Sequence, residues 1–182
     1  IYYFSLAANQ NHTTAQIKLG LIYEEGKLIP RDMNKSIHYF SLAANQNDAK
    51  AQFDLGYIYL KGESIQRDIN KSIYYFSLAA NQNYADAQYN LGLLYSKGEL
   101  IPRDMNKSIH YCSLAANQND ADAQFNLGLI YEEGKLITRD INKSIYYYSL
   151  AANQNHANAQ IKLGLLYEEG KLIPRDINKS IY

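Results

Sequence analysis

Glu24 and Glu25 stand side by side, and the pair recurs as Glu132–Glu133 and Glu168–Glu169. Two carboxylates can divide acid and base work between them, or hold a cation. Neighbours on a helix point about 100° apart, so these pairs do not converge on one point. No histidine or nucleophile lies close to them in sequence, and they read as a solvated face. His12, His38, His110 and His156 are not at metal-ligand spacing, and the positions 36 residues away from them hold Tyr or Asp. Cys112 is the only cysteine and stands in the register of Phe40 and Phe76, which marks a buried thiol rather than a nucleophile. The glycines come singly, so no phosphate-cradling loop is present. No catalytic residue, metal or cofactor is expected, and the chain is not read as an enzyme.

The elements that carry these residues follow from the glycines. Gly20, Gly56, Gly92, Gly128 and Gly164 are spaced by 36, as are Gly26, Gly62, Gly98, Gly134 and Gly170, and these are all ten glycines. Such a period signals stacked helical repeats. The 182 residues make five units of 36 (1–36, 37–72, 73–108, 109–144, 145–180), and Ile181 and Tyr182 begin a sixth. MNKSIHY and INKSIYY alternate at first, which points to late duplication of unit pairs. Each unit reads as two helices. One runs from Asp32 to Gln46, capped by Asp32 and preceded by a proline at 30, 102 or 174 that keeps the connection extended. Its apolar stripe is Met33, Ile37, Tyr39 or Phe40, Ala43 and Ala44. Asn47 ends it in a conformation that asparagine tolerates. The next helix runs from about Ala49 to Leu60 and stops at Gly62.

Ala51, Gln52, Leu55, Gly56, Tyr59 and Gly62 are the same in every complete copy. Their helical spacing marks one packed face. Positions 50, 53, 54, 57, 60 and 61 change between copies and mark the other. A glycine inside a helix costs about 1 kcal/mol relative to alanine. Gly56 is read as allowing a close approach of backbones, with Ala43 and Ala44 beneath it.

These residues resemble the Sel-1-like repeat family, relatives of the tetratricopeptide repeat. The family pattern is roughly A-x-A-Q-x-x-L-G-x-x-Y-x-x-G, then D-x-x-K-A-x-x-W/Y-Y-x-x-A-A-x-x-G. Ala49, Ala51, Gln52, Leu55, Gly56, Tyr59 and Gly62 match its first half. Asp68, Lys71, Tyr75, Ala79 and Ala80 match its second. Ser72 stands in place of an alanine, Asn83 in place of a glycine, and Thr13 in place of the first alanine. The resemblance implies an all-α fold, a right-handed solenoid of antiparallel helix pairs whose first helices line a concave surface. It also implies a scaffold or adaptor for other proteins.

On that surface the expected partner-binding residues are Lys50, Phe53, Tyr57, Lys61 and Asp86. They continue through Tyr89, Leu93, Lys97, Asp122, Phe125, Glu132 and Glu133. Phe53, Tyr57, Tyr89 and Phe125 form an aromatic centre, the residue type that dominates interface energetics. Lysines lie near it and glutamate pairs flank it, so the expected ligand is a peptide or helix with an apolar middle and basic ends. The alternative for position 53 is half-buried packing between repeats.

The 18 basic and 18 acidic residues cancel, which gives no electrostatic reason to expect nucleic acid. A single-stranded RNA reader needs a basic track, and Asn34 is identical in every copy, so that reading ranks below the scaffold. A passive spacer beside another domain is the third reading. No stretch is long and apolar enough for membrane insertion. The opening IYYFSLAANQN has no basic n-region or cleavage site, and without an initiator methionine the chain reads as part of something longer. Uncapped ends open a route to self-association. The single cysteine favours a cytoplasmic setting over the lumen of the secretory pathway. Asn34-Lys35-Ser36 and its copies, with Asn11-His12-Thr13, are glycosylation sequons, read as unmodified because one accident copied five times explains them.

Overall fold

A computed structural model of the chain describes residues 1–63, 65–135 and 137–169. Every regular element among them is an α-helix: α1 (Tyr2–Asn9), α2 (Thr13–Glu25), α3 (Met33–Asn45), α4 (Ala49–Lys61) and α5 (Ile69–Asn81). They continue as α6 (Ala85–Lys97), α7 (Met105–Ala116), α8 (Ala121–Glu133), α9 (Ile141–Asn153) and α10 (Ala157–Glu169). Pro174, Gly170 and the start of a sixth unit lie outside the described residues.

Local chemistry sets the ends of these helices. Asp32 is the N-cap of α3 and its Oδ1 accepts from the Lys35 N–H at 3.0 Å. Asp68, Asp104 and Asp140 repeat that bond at α5, α7 and α9. Each satisfies a donor that the first helical turn leaves without a partner. Asp48 and Asp120 cap α4 and α8 in the same way. At the other ends the chain turns left-handed. Gly62 closes α4 at φ 63°, and Asn47 follows α3 at φ 65°. The helices thus fall within one residue of the boundaries that the sequence predicts. In the sequon Asn34-Lys35-Ser36 the serine is buried inside α3.

Two compact units make up the chain, Ile1–Ala87 and Gln88–Tyr182. In the first, successive helices from α1 to α5 pack on one another; in the second, α7 to α10 do so. The first unit buries Phe40, Ala43, Ala44, Ala51, Leu55 and Ile58 together. The second buries Cys112, Ala115, Ala116, Ala123 and Leu127, with Tyr148, Ala151 and Ala159 in a further cluster. The choice between Tyr39 and Phe40 resolves to Phe40, which has no exposed surface. Tyr39 lies half outside, stacked on Tyr23 at 5.8 Å between centroids. Tyr59 and Tyr75 in the first unit, and Tyr131 and Tyr147 in the second, form the same stack. The lysine of the next helix start lies over one ring of each, as Lys71 does over Tyr59 at 4.9 Å.

One buried contact corrects the sequence reading. A Cβ on Gly56 would lie 2.6 Å from Cδ1 of Phe76, and one on Gly20 would lie 2.8 Å from Cδ1 of Phe40. The glycine thus seats an aromatic ring of the following helix, not Ala43 and Ala44 of the preceding one. At Gly92, where Cys112 replaces the ring, backbone is among the nearest atoms. There a Cβ would meet the Cys112 sulfur and lie 3.1 Å from the Cys112 nitrogen.

Polar side chains also reach the core. Gln52 Nε2 donates to the Ala44 carbonyl at 3.3 Å, and Gln52 Oε1 accepts from Gln82 Nε2 at 2.7 Å. Three helices are clamped by one buried amide. Gln16 with Gln46, and Gln124 with Gln154, repeat it. Ser72 is buried as well, and its hydroxyl has no hydrogen-bond partner. A buried hydroxyl without a partner is destabilising, and alanine is the better helix former. Ser72→Ala is therefore expected to raise stability by about 1 kcal/mol, read as a higher urea midpoint with an unchanged slope.

Candidate functional site

Each unit carries a cleft at the C-terminal end of its first-type helices. In the first unit Glu24, Arg31, Met33, Tyr57, Lys61 and Ile65 are among the residues that enclose about 210 Å³. In the second, about 290 Å³ is enclosed by Ser96, Arg103, Met105, Leu129, Glu133 and Ile137 among others. These residues occupy equivalent positions 72 apart in sequence. The walls come from α2 and α4, or α6 and α8, and the floor from the loop that leads into the next helix. Gly26, at φ 68°, folds that loop back so tightly that a Cβ would lie 2.8 Å from Cβ of Arg31. In the second unit Arg103 donates to the Lys97 carbonyl at 3.0 Å and pins the loop to the end of α6.

Of the residues singled out in the sequence, Tyr57 and Lys61 line the first cleft, and Lys97 and Glu133 the second. Tyr57 is 40% exposed, and the Lys61 ammonium lies 5.3 Å from its ring centroid. Phe53 lies half-buried against Phe76 and Tyr84, at 5.6 and 5.3 Å between centroids. Lys50 is exposed, with its Nζ 2.8 Å from Asp54. Asp86 is exposed in the first turn of α6. Tyr89 packs against the cluster around Cys112, and burial, with Asp122 and the thiol nearby, pushes its hydroxyl up to about 12. Leu93 is half-buried, and its carbonyl accepts from Ser96. Asp122 is exposed, with Oδ1 3.1 Å from His156 Nε2. Phe125 stacks on His156 and tilts against Tyr148.

The glutamate pairs differ from the solvated face read from sequence. Glu25 and Glu133 are exposed and pair with Lys27 at 3.1 Å and Lys135 at 3.4 Å. Glu132 turns inward, accepting from the Tyr148 hydroxyl at 2.6 Å and from Lys162 Nζ at 2.9 Å. Burial raises its carboxyl, but those two donors outweigh burial and the net shift is downward. Glu24 is half-buried, and burial followed by the charge of Asp54 moves its carboxyl upward. Adjacent glutamates thus split, one outward and one inward, as their 100° separation requires.

The sequence reading missed Arg31, Met33 and Ile65, with their counterparts Arg103, Met105 and Ile137. It searched the first helices alone, whereas these come from the loop and the helix that follows. The stretch LIPRDM at 28–33 and again at 100–105 was the available signal.

Cys112 is buried, and Asn126 Nδ2 donates to its sulfur at 3.2 Å. Burial pushes the thiol from 9.0 up to about 11. The folded state therefore keeps a proton that the unfolded chain has lost, and stability falls as pH rises from 9.0 toward about 11. The native chain is expected to resist alkylation at about pH 8, with labelling only on unfolding. Urea titrations of the wild type and Cys112→Ser should diverge over that alkaline window.

The sequence profile of the Sel1 repeat matches residues 1–12, 13–48, 49–84, 85–120, 121–156 and 157–182. A solved structure of c5321, a protective antigen of uropathogenic Escherichia coli strains described as displaying an SLR fold, superposes with a TM-score of 0.90. It is 28% identical over 99% of this chain, which spans 39% of the antigen. A Sel1 repeat protein from Oxalobacter formigenes is 32% identical, with a TM-score of 0.85, over 99% of this chain and 74% of its own. The cysteine rich protein B of Helicobacter pylori is 25% identical, with a TM-score of 0.55, over 74% of this chain and 96% of its own. No curated protein matches the sequence. Sel1 repeat proteins are generally protein-interaction scaffolds and generally non-catalytic. Helix pairs at a 36-residue period make up the described residues, the profile matches from residue 1 to 182, and the chain belongs to the Sel1 repeat family.

Proposed function

We propose that the chain is a protein-interaction scaffold in which the cleft of each unit, with the adjoining exposed turn of the first-type helices, takes an extended segment of a partner protein. Tyr57 carries this reading. It is 40% exposed beside a cleft with Met33, Ile58 and Ile65 in its walls, and its ring stacks on that of Phe53 at 6.3 Å between centroids. A large amphipathic ring held at the rim of an apolar recess is the usual anchor of a protein interface. Positions 50, 57 and 61 differ between copies, while the buried Ala51, Leu55 and Gly56 positions do not. That pattern leaves the packing constant and the exposed face free to acquire a ligand.

Peptides selected from a displayed random library on the whole chain test the reading. Tyr57→Ala is expected to weaken the peptides bound at the first cleft at least tenfold, with a melting temperature within about 2 °C of wild type. Phe53→Ala is not a clean probe, because its ring packs on Phe76 and Tyr84. Peptides bound equally well by Tyr57→Ala and by a Leu129→Ala variant in the second cleft would overturn the proposal.

A further inference from the structure

Glu24 and Glu132 occupy the same position in their repeats, 108 residues apart. The residues 16, 26 and 30 positions on from each of them differ. Around Glu132 the chain supplies the Tyr148 hydroxyl, 16 residues on, and the Lys162 ammonium, 30 residues on. The residues at the same offsets from Glu24 are Phe40 and Asp54. A phenyl ring donates nothing, and a carboxylate repels. Among the described residues no hydrogen bond or ion pair reaches Glu24. Lys50 does not fill the gap, since Asp54 already holds its ammonium at 2.8 and 3.0 Å. Arg31 and Lys50 act on Glu24 only as charges at longer range, against Asp54 and Glu25. Glu24 is half-buried and lines the first cleft, with Tyr57, Met33, Ile58 and Ile65 as apolar walls and Arg31, Lys61 and Glu63 as charged ones, the Lys61 ammonium lying over the Tyr57 ring. A carboxylate withdrawn from water needs a donor, and a cationic one serves it best.

We propose that the first cleft receives a lysine or arginine side chain of the partner segment, which gives Glu24 the cation that Lys162 gives Glu132. The aliphatic stem lies along Tyr57, Met33 and Ile65, and the charged head reaches Glu24. The inference rests on the scaffold reading above and names the chemistry that its first cleft selects.

Peptides selected on the chain, and assigned to the first cleft by their loss with Tyr57→Ala, are expected to carry a lysine or arginine. Glu24→Gln should weaken them more than tenfold while the chain stays folded by circular dichroism, and added salt should weaken them on the wild type. A second variant, Phe40→Tyr with Lys50→Asn and Asp54→Lys, rebuilds the surroundings of Glu132. It should lose the same peptides and melt at a higher temperature. Tyr57-dependent peptides without a basic residue, or ones indifferent to Glu24→Gln, overturn this inference and leave the scaffold reading standing. A library that yields no Tyr57-dependent peptide overturns this inference, and one that yields no peptide sensitive to either Tyr57→Ala or Leu129→Ala removes both.

Discussion

Gly56→Leu is expected to unfold the first unit or to cost more than about 4 kcal/mol, and Gly56→Ala to cost about 1–2 kcal/mol. On helix propensity alone, alanine would gain about 1 kcal/mol over glycine. The sign reverses because the new Cβ would sit 2.6 Å from Cδ1 of Phe76. Phe76 has no exposed surface and no free space to retreat into. Thermal melting with a double-mutant cycle separates this cause from a general weakening. Phe76→Leu alone should be destabilising, yet it should restore part of what Gly56→Ala loses. Gly92→Ala should behave differently. There the neighbours include the Cys112 nitrogen at 3.1 Å and the Ser108 carbonyl at 3.2 Å, which no side-chain truncation can move. Cys112→Ala, which removes the sulfur, the nearest of the three atoms, should therefore relieve the severest clash and leave only these two tight backbone contacts. If Gly56→Ala melts higher than wild type, the seating of Phe76 on that glycine is wrong.

Gln52→Ala is expected to cost about 3 kcal/mol, far more than the removal of a surface glutamine. Gln52 is 2% exposed and serves three partners, the Ala44 carbonyl, the Asn47 side-chain oxygen and the Gln82 amide. Its removal leaves a buried carbonyl without a donor and a void in the core. Gln52→Leu fills the void but not the hydrogen bond, so it should recover only part of the loss. Gln82 is exposed, and water can replace its contact. Gln82→Ala should therefore cost less than about 1 kcal/mol. Urea unfolding of the three variants decides the ordering. Equal losses for Gln52→Ala and Gln82→Ala would show that the clamp is a surface contact.

The contrast between these positions shows what a single strand of residues discloses. Asp32 before a helix and Gly62 after it act within one turn of their own position, so sequence spacing locates both. The fixed face of Ala51, Gln52, Leu55 and Gly56 is likewise a matter of helical period, and all four are buried. Ile58 is buried too, although the sequence reading left it out. Its position holds only Ile or Leu in every copy, so the signal was present. Ser36 and its copies gave no such signal, because a buried serine at the start of a helix looks like any polar residue there.

The period of 36, the all-helical pairs, the caps and the constant packing face were determined by the sequence itself, because each depends on residues within a few turns of one another. What lies on Gly56, and which glutamate turns inward, were decided only in the tertiary structure. Those answers depend on residues 16, 20 and 30 positions away in sequence, brought close by the packing of the next helix pair. Glu24 and Glu132 are identical as letters, and they differ because packing brings the charge of Asp54 toward one and Tyr148 and Lys162 into hydrogen-bond reach of the other.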